Sequence, residues 1–270
     1  MPLPPVLYIN RDSREDRRRF MEEQFARLGI PARRISAVEA EGLSQADLER
    51  YCDRTQVHFL SRSQLACTRS HVRCWQDLLD AGAEWGLVLE DDAVLSPKLR
   101  SFLDLFDGTG FDLVQLETIT SPVSVLAPVA TIGLVRLRPF RTELRGTAGY
   151  LIARPAIARL LASPGLFTQP ADYALFRPLT RPASELRAVL ADPALCIQLN
   201  KLDAGGASQG DVKPVRSAPI RTAPLASLRR RLFRIGLGLR ALGDEARYLG
   251  RAERIAIPFD GPIAPASGPS

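Results

Sequence analysis

The stretch Gly86-Leu87-Val88-Leu89-Glu90-Asp91-Asp92-Ala93 constrains this chain more than any other. A short apolar run breaks directly into three consecutive carboxylates. Such a run reads as a buried strand of an α/β sheet. The acidic cluster then stands at the strand's carboxyl end, where open α/β sheets bind their ligands. Three adjacent carboxylates repel one another unless a cation neutralises them. A metal that also holds a diphosphate is therefore the first chemistry to consider, and a solvated acidic turn is the plain alternative.

The segments around this octet fit an α/β layout. Pro5-Val6-Leu7-Tyr8-Ile9-Asn10 predicts a first buried strand. Asp12 or Ser13 is placed to cap a helix running to Leu28, with Met21, Phe25 and Leu28 on one face and Gly29 as its stop. Residues 33–38 predict a second strand, which makes a βαβ unit. Helices are expected at 44–54, at 64–81 with Ser63 as cap, at 97–106, and from Pro155 to 162. Further strands are expected at 86–90, 112–116, 147–153 and 195–199. Residues 117–145 read as an irregular loop or small ribbon. Residues 203–224, rich in Gly, Ser and Pro, read as a linker. Residues 258–270 hold four Pro and two Gly in 13 positions and read as disordered.

Charge is unevenly distributed. The net +6 resides in residues 215–270, which carry ten arginines against four acids, while residues 1–214 are neutral. The basic balance therefore describes a tail and gives no case for nucleic-acid binding by the body. Within that tail, Leu225, Leu228, Leu232, Ile235, Leu239 and Leu242 follow helical spacing among Arg229, Arg230, Arg231, Arg234 and Arg240. A basic amphipathic helix over 225–242 suits an anionic membrane surface, and a helix docked on the body is the alternative. Four cysteines without a CxxC pair, and two histidines in all, argue against a zinc site. No Walker-type loop and no nucleophilic Ser-His-Asp signature is present. The N-terminus has no secretory pattern, which sets the expectation of a cytoplasmic protein, peripheral on the inner membrane if the tail binds lipid.

An ordered set of segments carries a resemblance. Val6-Leu7-Tyr8-Ile9-Asn10 with Arg17-Arg18 is followed by Ile35-Ser36-Ala37-Val38-Glu39-Ala40, then by Leu65-Ala66-Cys67-Thr68-Arg69-Ser70-His71 with Trp75. Leu87-Val88-Leu89-Glu90-Asp91-Asp92, Gly146-Thr147-Ala148-Gly149-Tyr150-Leu151-Ile152 and Pro170-Ala171-Asp172-Tyr173 complete the set. In this the chain resembles the family 25 glycosyltransferases of the lipooligosaccharide galactosyltransferase type, over roughly residues 5–200. It departs from the family pattern at Ser63-Gln64, where a Gly-Glu pair is usual, at Ala66 and at Arg11.

The resemblance implies a GT-A-type, Rossmann-like nucleotide-diphospho-sugar transferase fold with a mostly parallel sheet. It occupies residues 1–202 and is followed by the linker and the basic helical tail over 225–257. It implies an inverting transfer of a hexose, by analogy galactose, from a UDP-sugar to a lipid-linked or oligosaccharide acceptor, assisted by Mn²⁺ or Mg²⁺. Asp92 is the expected metal ligand, with Glu90 sharing the metal or, like Asp91, contacting the donor. Asp172 is the expected general base, with Glu117 in reserve. Asn10, Arg17, Ser70, His71, Thr147 and Tyr150 are assigned to substrate. For His71 a half-buried structural role stays open, and for Thr147 and Tyr150 simple packing. A metal-dependent nucleotidyl or phosphoryl transferase and a non-catalytic nucleotide-sugar-binding homologue are the rival readings.

Overall fold

A computed structural model describes residues 3–202 and 224–261. β1 (Val6–Asn10) is buried along its whole length and leads into α1 (Glu15–Leu28) and then β2 (Ala32–Ser36). β2 pairs parallel with β1, completing the βαβ unit. α1 ends as expected at Gly29, whose φ of 63° is the left-handed conformation that glycine adopts freely. Its start differs from expectation: Arg14 is the N-cap, and its side chain pairs with Asp16 and makes no capping bond. The Asp12 carboxylate is drawn away to β2, where it accepts from Ser36 Oγ at 3.0 Å and pairs with Arg34.

α2 (Gln45–Tyr51) and α3 (Arg62–Asp80) follow. α3 begins two residues earlier than its sequence suggested. Ser61 is the cap, accepting from the Gln64 backbone N–H while the Gln64 side chain accepts from the Ser61 N–H. This reciprocal capping box gives Gln64 a local role that Gln fills as well as Glu. β3 (Trp85–Glu90), β4 (Ala93–Leu95), α4 (Leu99–Leu105) and β5 (Leu113–Gln115) come next. The stretch with no clear pattern resolves into β6 (Glu117–Thr118), β7 (Val123–Val125), β8 (Ala130–Ile132) and β9 (Val135–Pro139). β10 (Gly149–Ala153), α5 (Arg154–Ala162), α6 (Ala171–Phe176) and β11 (Ala188–Asp192) follow. β12 (Cys196–Gln198), α7 (Leu199–Leu202), α8 (Pro224–Arg247) and β13 (Glu253–Ile255) complete the described chain.

Eight strands form the central sheet in the order β2-β1-β3-β10-β5-β11-β9-β8. Six run in one direction, and β10 and β9 run against them. Alternation along the strands sends Val88, Tyr150 and Ile152 to one face, packed against Val72, Trp75 and Leu78 of α3 and Ile157 of α5. Leu87, Leu89 and Leu151 point to the other face with Met21 and Phe25 of α1 and Phe102 of α4. The result is a sheet covered by helices on both faces, as an α/β fold requires.

A second, three-stranded sheet, β4-β12-β6, stands at the carboxyl end of β3. It brings the turn after Glu90, the residue Glu117 and the start of α7 to one place. The C-terminal segment corrects the expected domain boundary. β13 pairs antiparallel with β7, the Thr118 hydroxyl donates to the Ile257 carbonyl at 2.7 Å, and Asp260 N–H donates to the Ala194 carbonyl at 2.9 Å. Residues 253–261 are thus part of the body, including 258–261, which were expected to be disordered. The proposed linker, apart from Pro224, and residues 262–270 lie outside the described residues.

Candidate active site

The three carboxylates after β3 have three different environments. β1 and β3 pair in parallel with Ile9 opposite Glu90, which sets Asn10 beside Asp91. Asn10 Nδ2 donates to Asp91 Oδ2 at 2.8 Å and Arg17 donates to Asp91 Oδ1 at 3.1 Å. Asn10 is itself oriented by Arg34, whose Nε donates to Asn10 Oδ1 at 2.8 Å. Glu90 Oε1 accepts from the Thr147 hydroxyl and faces His71 Nε2 at 3.3 Å. Burial raises the Glu90 carboxyl, but these bonds and the charge of Lys201 outweigh it and hold the group below its ordinary range. Asp92 differs: its Oδ1 is buried with no hydrogen-bond partner among the described residues. Burial, and next the charge of Glu90, push the Asp92 carboxyl up to about 7, with Arg17 pulling the other way.

A buried chain of hydrogen bonds fixes Glu90 from behind. Trp75 Nε1, which can only donate, gives its proton to the Tyr150 hydroxyl at 2.9 Å. The Tyr150 hydroxyl lies 2.9 Å from His71 Nδ1. Its own proton is satisfied there when Nδ1 accepts, which leaves the imidazole proton on Nε2, directed at Glu90. His71 and Tyr150 are fully buried and Ser70 nearly so. Ser70 Oγ accepts from the Val38 N–H at 2.8 Å and donates to the Ala66 carbonyl at 2.9 Å, joining α3 to the segment after β2. All three residues, expected at substrate, are buried with their polar atoms engaged by protein groups. His71 is fully buried, beyond the half-buried role left open for it, and its partners are side chains.

Three carboxylates hold the loop Gly146-Thr147-Ala148. Asp172 Oδ2 accepts from the Gly146 N–H at 3.4 Å, Glu90 takes the Thr147 hydroxyl, and Glu117 Oε2 accepts from the Ala148 N–H at 2.8 Å. Gly146 has φ 93°, and a Cβ there would stand 2.5 Å from the Glu117 carboxylate oxygens, so only glycine lets the loop close over that side chain. Glu117 is enclosed and paired with Lys201, Nζ to Oε1 2.6 Å. Burial pushes its carboxyl up to about 7 against the pull of Lys201. Asp172, in the first turn of α6, is half-buried and also accepts from the Tyr173 N–H at 2.9 Å. Burial raises its carboxyl despite those two backbone bonds, and the charge of Glu90 adds to the rise.

Lys201 was not singled out from the sequence. A signal was present: it is one of three lysines in a chain with 33 arginines. Its neighbour Leu199 donates its N–H to the Asp92 carbonyl at 2.8 Å, so α7 is tied to the acidic turn. Cys67 opens to solvent on α3. Asp172 and Glu90 hold the adjacent residues Gly146 and Thr147, and Asp92 follows Glu90 by two residues, so the three line one cleft.

The residues fit a hard divalent cation. Among the described residues, five carboxylates (Glu90, Asp91, Asp92, Glu117 and Asp172) stand near two cations, Arg17 and Lys201, and one buried carboxylate oxygen, on Asp92, has no partner. Cys67, His71 and Glu90 also approach within 4.8 Å of one another through ligand-type atoms. That trio suits a softer metal, but the hydrogen-bond chain puts a proton on the His71 nitrogen facing Glu90, and it holds together without an ion.

The family model described as glycosyltransferase family 25 (LPS biosynthesis protein) matches residues 4–175. The chain belongs to glycosyltransferase family 25. It is 31% identical over 209 residues to the lacto-N-neotetraose biosynthesis glycosyltransferase LgtB of Neisseria meningitidis serogroup A, covering 70% of this chain and 72% of that one. Human procollagen galactosyltransferase 2 is 27% identical over 175 residues, 60% of this chain and 28% of that longer protein. Among solved structures, the chain is similar to a glycosyltransferase involved in the glycosylation of the major capsid of PBCV-1, with TM-score 0.41 and 13% identity over 73% of this chain and 94% of that one. This family 25 member is a glycosyltransferase, and its family segment contains Glu90, Asp91, Asp92, Glu117 and Asp172. Lys201 lies beyond it.

Proposed function

We propose that this glycosyltransferase moves a hexose, galactose by kinship, from a UDP-sugar to a lipooligosaccharide or related surface glycan, with inversion at the anomeric carbon. The names of its relatives support the acceptor class and the sugar. The unpartnered Asp92 oxygen carries the metal-assisted part of the reading. Asp91 is taken up by Asn10 and Arg17, and Glu90 by His71 and Thr147, so Asp92 is the member of the triplet left open to an ion. Asp92 would hold Mn²⁺ or Mg²⁺ with Glu90 beside it, and a bound ion would act as a Lewis acid toward the departing diphosphate. Arg17 and Lys201 flank the same turn with positive charge suited to phosphate oxygens.

Inverting transfer needs a base for the acceptor hydroxyl. Asp172 fits better than Glu117, because it is partly exposed and so open to an acceptor hydroxyl, while burial raises both carboxyls alike in direction. Glu117 is sealed beneath the 146–148 loop and serves to hold that loop. UDP release from a panel of UDP-sugars, with and without Mn²⁺, tests the reading on wild type and Asp92→Asn. Metal-dependent release from one donor, lost in the variant, is the expected result. Release that is equal in the variant, or that ignores metal, would overturn the assignment of Asp92. Donor binding without release, even with glycan acceptors present, would favour a non-catalytic homologue.

A further inference from the structure

α8 presents two different faces. Toward the body, Arg230 donates to the Arg54 carbonyl at 2.7 Å and covers the Phe59 ring, Phe233 meets His58 edge-on at 5.0 Å, and Asp244 pairs with Arg141 Nε at 2.6 Å. These positions share one side of a helix. On the opposite side, Leu228, Leu232, Ile235, Leu239 and Leu242 recur every three or four residues and are 53–65% exposed. The stripe runs about 21 Å along the axis at 1.5 Å per residue. Exposed Arg229, Arg240 and Arg247 border it on one side, and Arg231 and Arg234 on the other. A contiguous apolar stripe of this length on a helix already docked by its other face marks an interaction surface.

We infer that this stripe lies in the headgroup region of an anionic lipid bilayer, with its leucines in the acyl boundary and the flanking arginines on lipid phosphates. Charge decides between occupants. Residues 224–243 contain five arginines and no acid, so a second copy laid stripe to stripe would bring like charges together, whereas an anionic surface complements both rows. This surface lies outside the acidic cleft and shares no residue with it. Binding there would confine the enzyme to the surface that presents a lipid-linked glycan, a consequence that rests on the reaction proposed above.

Co-sedimentation of the full chain with vesicles tests this, using phosphatidylcholine alone and phosphatidylcholine mixed with phosphatidylglycerol. Binding should be confined to the anionic vesicles. Leu232→Ser with Leu239→Ser, and separately Arg231→Gln with Arg234→Gln, should each weaken it roughly tenfold or more. These positions are exposed, so both variants should keep the wild-type melting temperature and, if the proposed reaction is right, turnover of a soluble acceptor. Failure to bind anionic vesicles, or binding untouched by the leucine substitutions, would overturn the inference. So would self-association without lipid that the leucine substitutions abolish, since the stripe would then belong to a second copy. Loss of the glycosyl-transfer reading would leave the vesicle result unaffected.

Discussion

Replacing Tyr150 with Phe removes one oxygen from a buried chain and leaves Trp75 Nε1 and His71 Nδ1 without partners. The expected stability cost is about 1–3 kcal/mol, the penalty for stranding buried polar groups. A second effect follows from position: His71 then loses what sets its proton toward Glu90, and the apparent affinity for Mn²⁺ in donor release should fall roughly tenfold or more, as when the outer partners of metal ligands are removed. Thermal melts and metal titrations read the two effects separately. An unchanged Mn²⁺ dependence in a folded Tyr150→Phe protein would show that the chain is structural only. Glu117 makes a different prediction. Its folded carboxyl is raised from 4.5 to about 7, so between those values the native state keeps a proton that the unfolded chain has lost. Its contribution to stability is present in full below about pH 4.5 and falls away as pH rises to 7, by something on the order of 3 kcal/mol. Glu117→Gln keeps an acceptor for the Ala148 N–H and should flatten that part of the pH dependence of the melting temperature. A variant with the wild-type slope would contradict the assignment. At this scale the acidic triplet was legible, because three charges closing an apolar strand demand an explanation locally. The Glu117–Lys201 pair was not, because its members are 84 residues apart and meet only when β12, which leads into α7, pairs with β6.

Elements with a continuous apolar run, β1, β3 and β10, were readable because burial on both faces leaves one kind of residue possible at each position. β6 to β9 are two to five residues long, so their pairing comes from the rest of the fold and not from their own sequence. The direction of β10 is equally a property of the whole: it inserts antiparallel between β3 and β5. That insertion makes Gly149 a packing position. A Cβ there would lie 2.5 Å from Cys196 Sγ and 3.0 Å from Leu89 Cδ2. Gly149→Ala should therefore destabilise by about 1–3 kcal/mol through overpacking. Adding Cys196→Ala should return part of the loss, since the nearest clash is with the sulfur. A denaturant series on the two single variants and the double variant measures the coupling, and strict additivity would place the strain elsewhere.

On the scale of the whole molecule, a basic C-terminal tail was foreseen as a basic helix, and α8 is that helix. Its docking on the body was the alternative reading, but the strand pairing beyond it was not foreseen, because β13 is three residues long and its partner β7 lies over a hundred residues earlier. The consequence is that the tail cannot be removed as one detachable module. Cutting after Arg247 would leave α8 in place but strip the pairing of β7, the carbonyl that receives the Thr118 hydroxyl, the Glu253 partner of Arg138 and the buried side chain of Ile257. Thr118 directly follows Glu117, so the loss reaches the strand that supports the acidic cleft. Burial of Ile257 alone is worth about 2–3 kcal/mol, and for a chain of this size each kcal/mol moves the melting temperature by about 2–4 °C. The truncated protein should melt roughly 5–10 °C lower than the full chain, and donor release should weaken before global unfolding sets in. Ile257→Ala in the intact chain should reproduce much of the shift while leaving α8 and its vesicle binding unchanged. A truncated protein that melts with the full chain would mean that residues 248–261 rest on the body without supporting it. The proposed membrane contact is accordingly tested by substitutions along the exposed stripe of α8, because deletion of the tail would disturb the fold, the cleft and that stripe together.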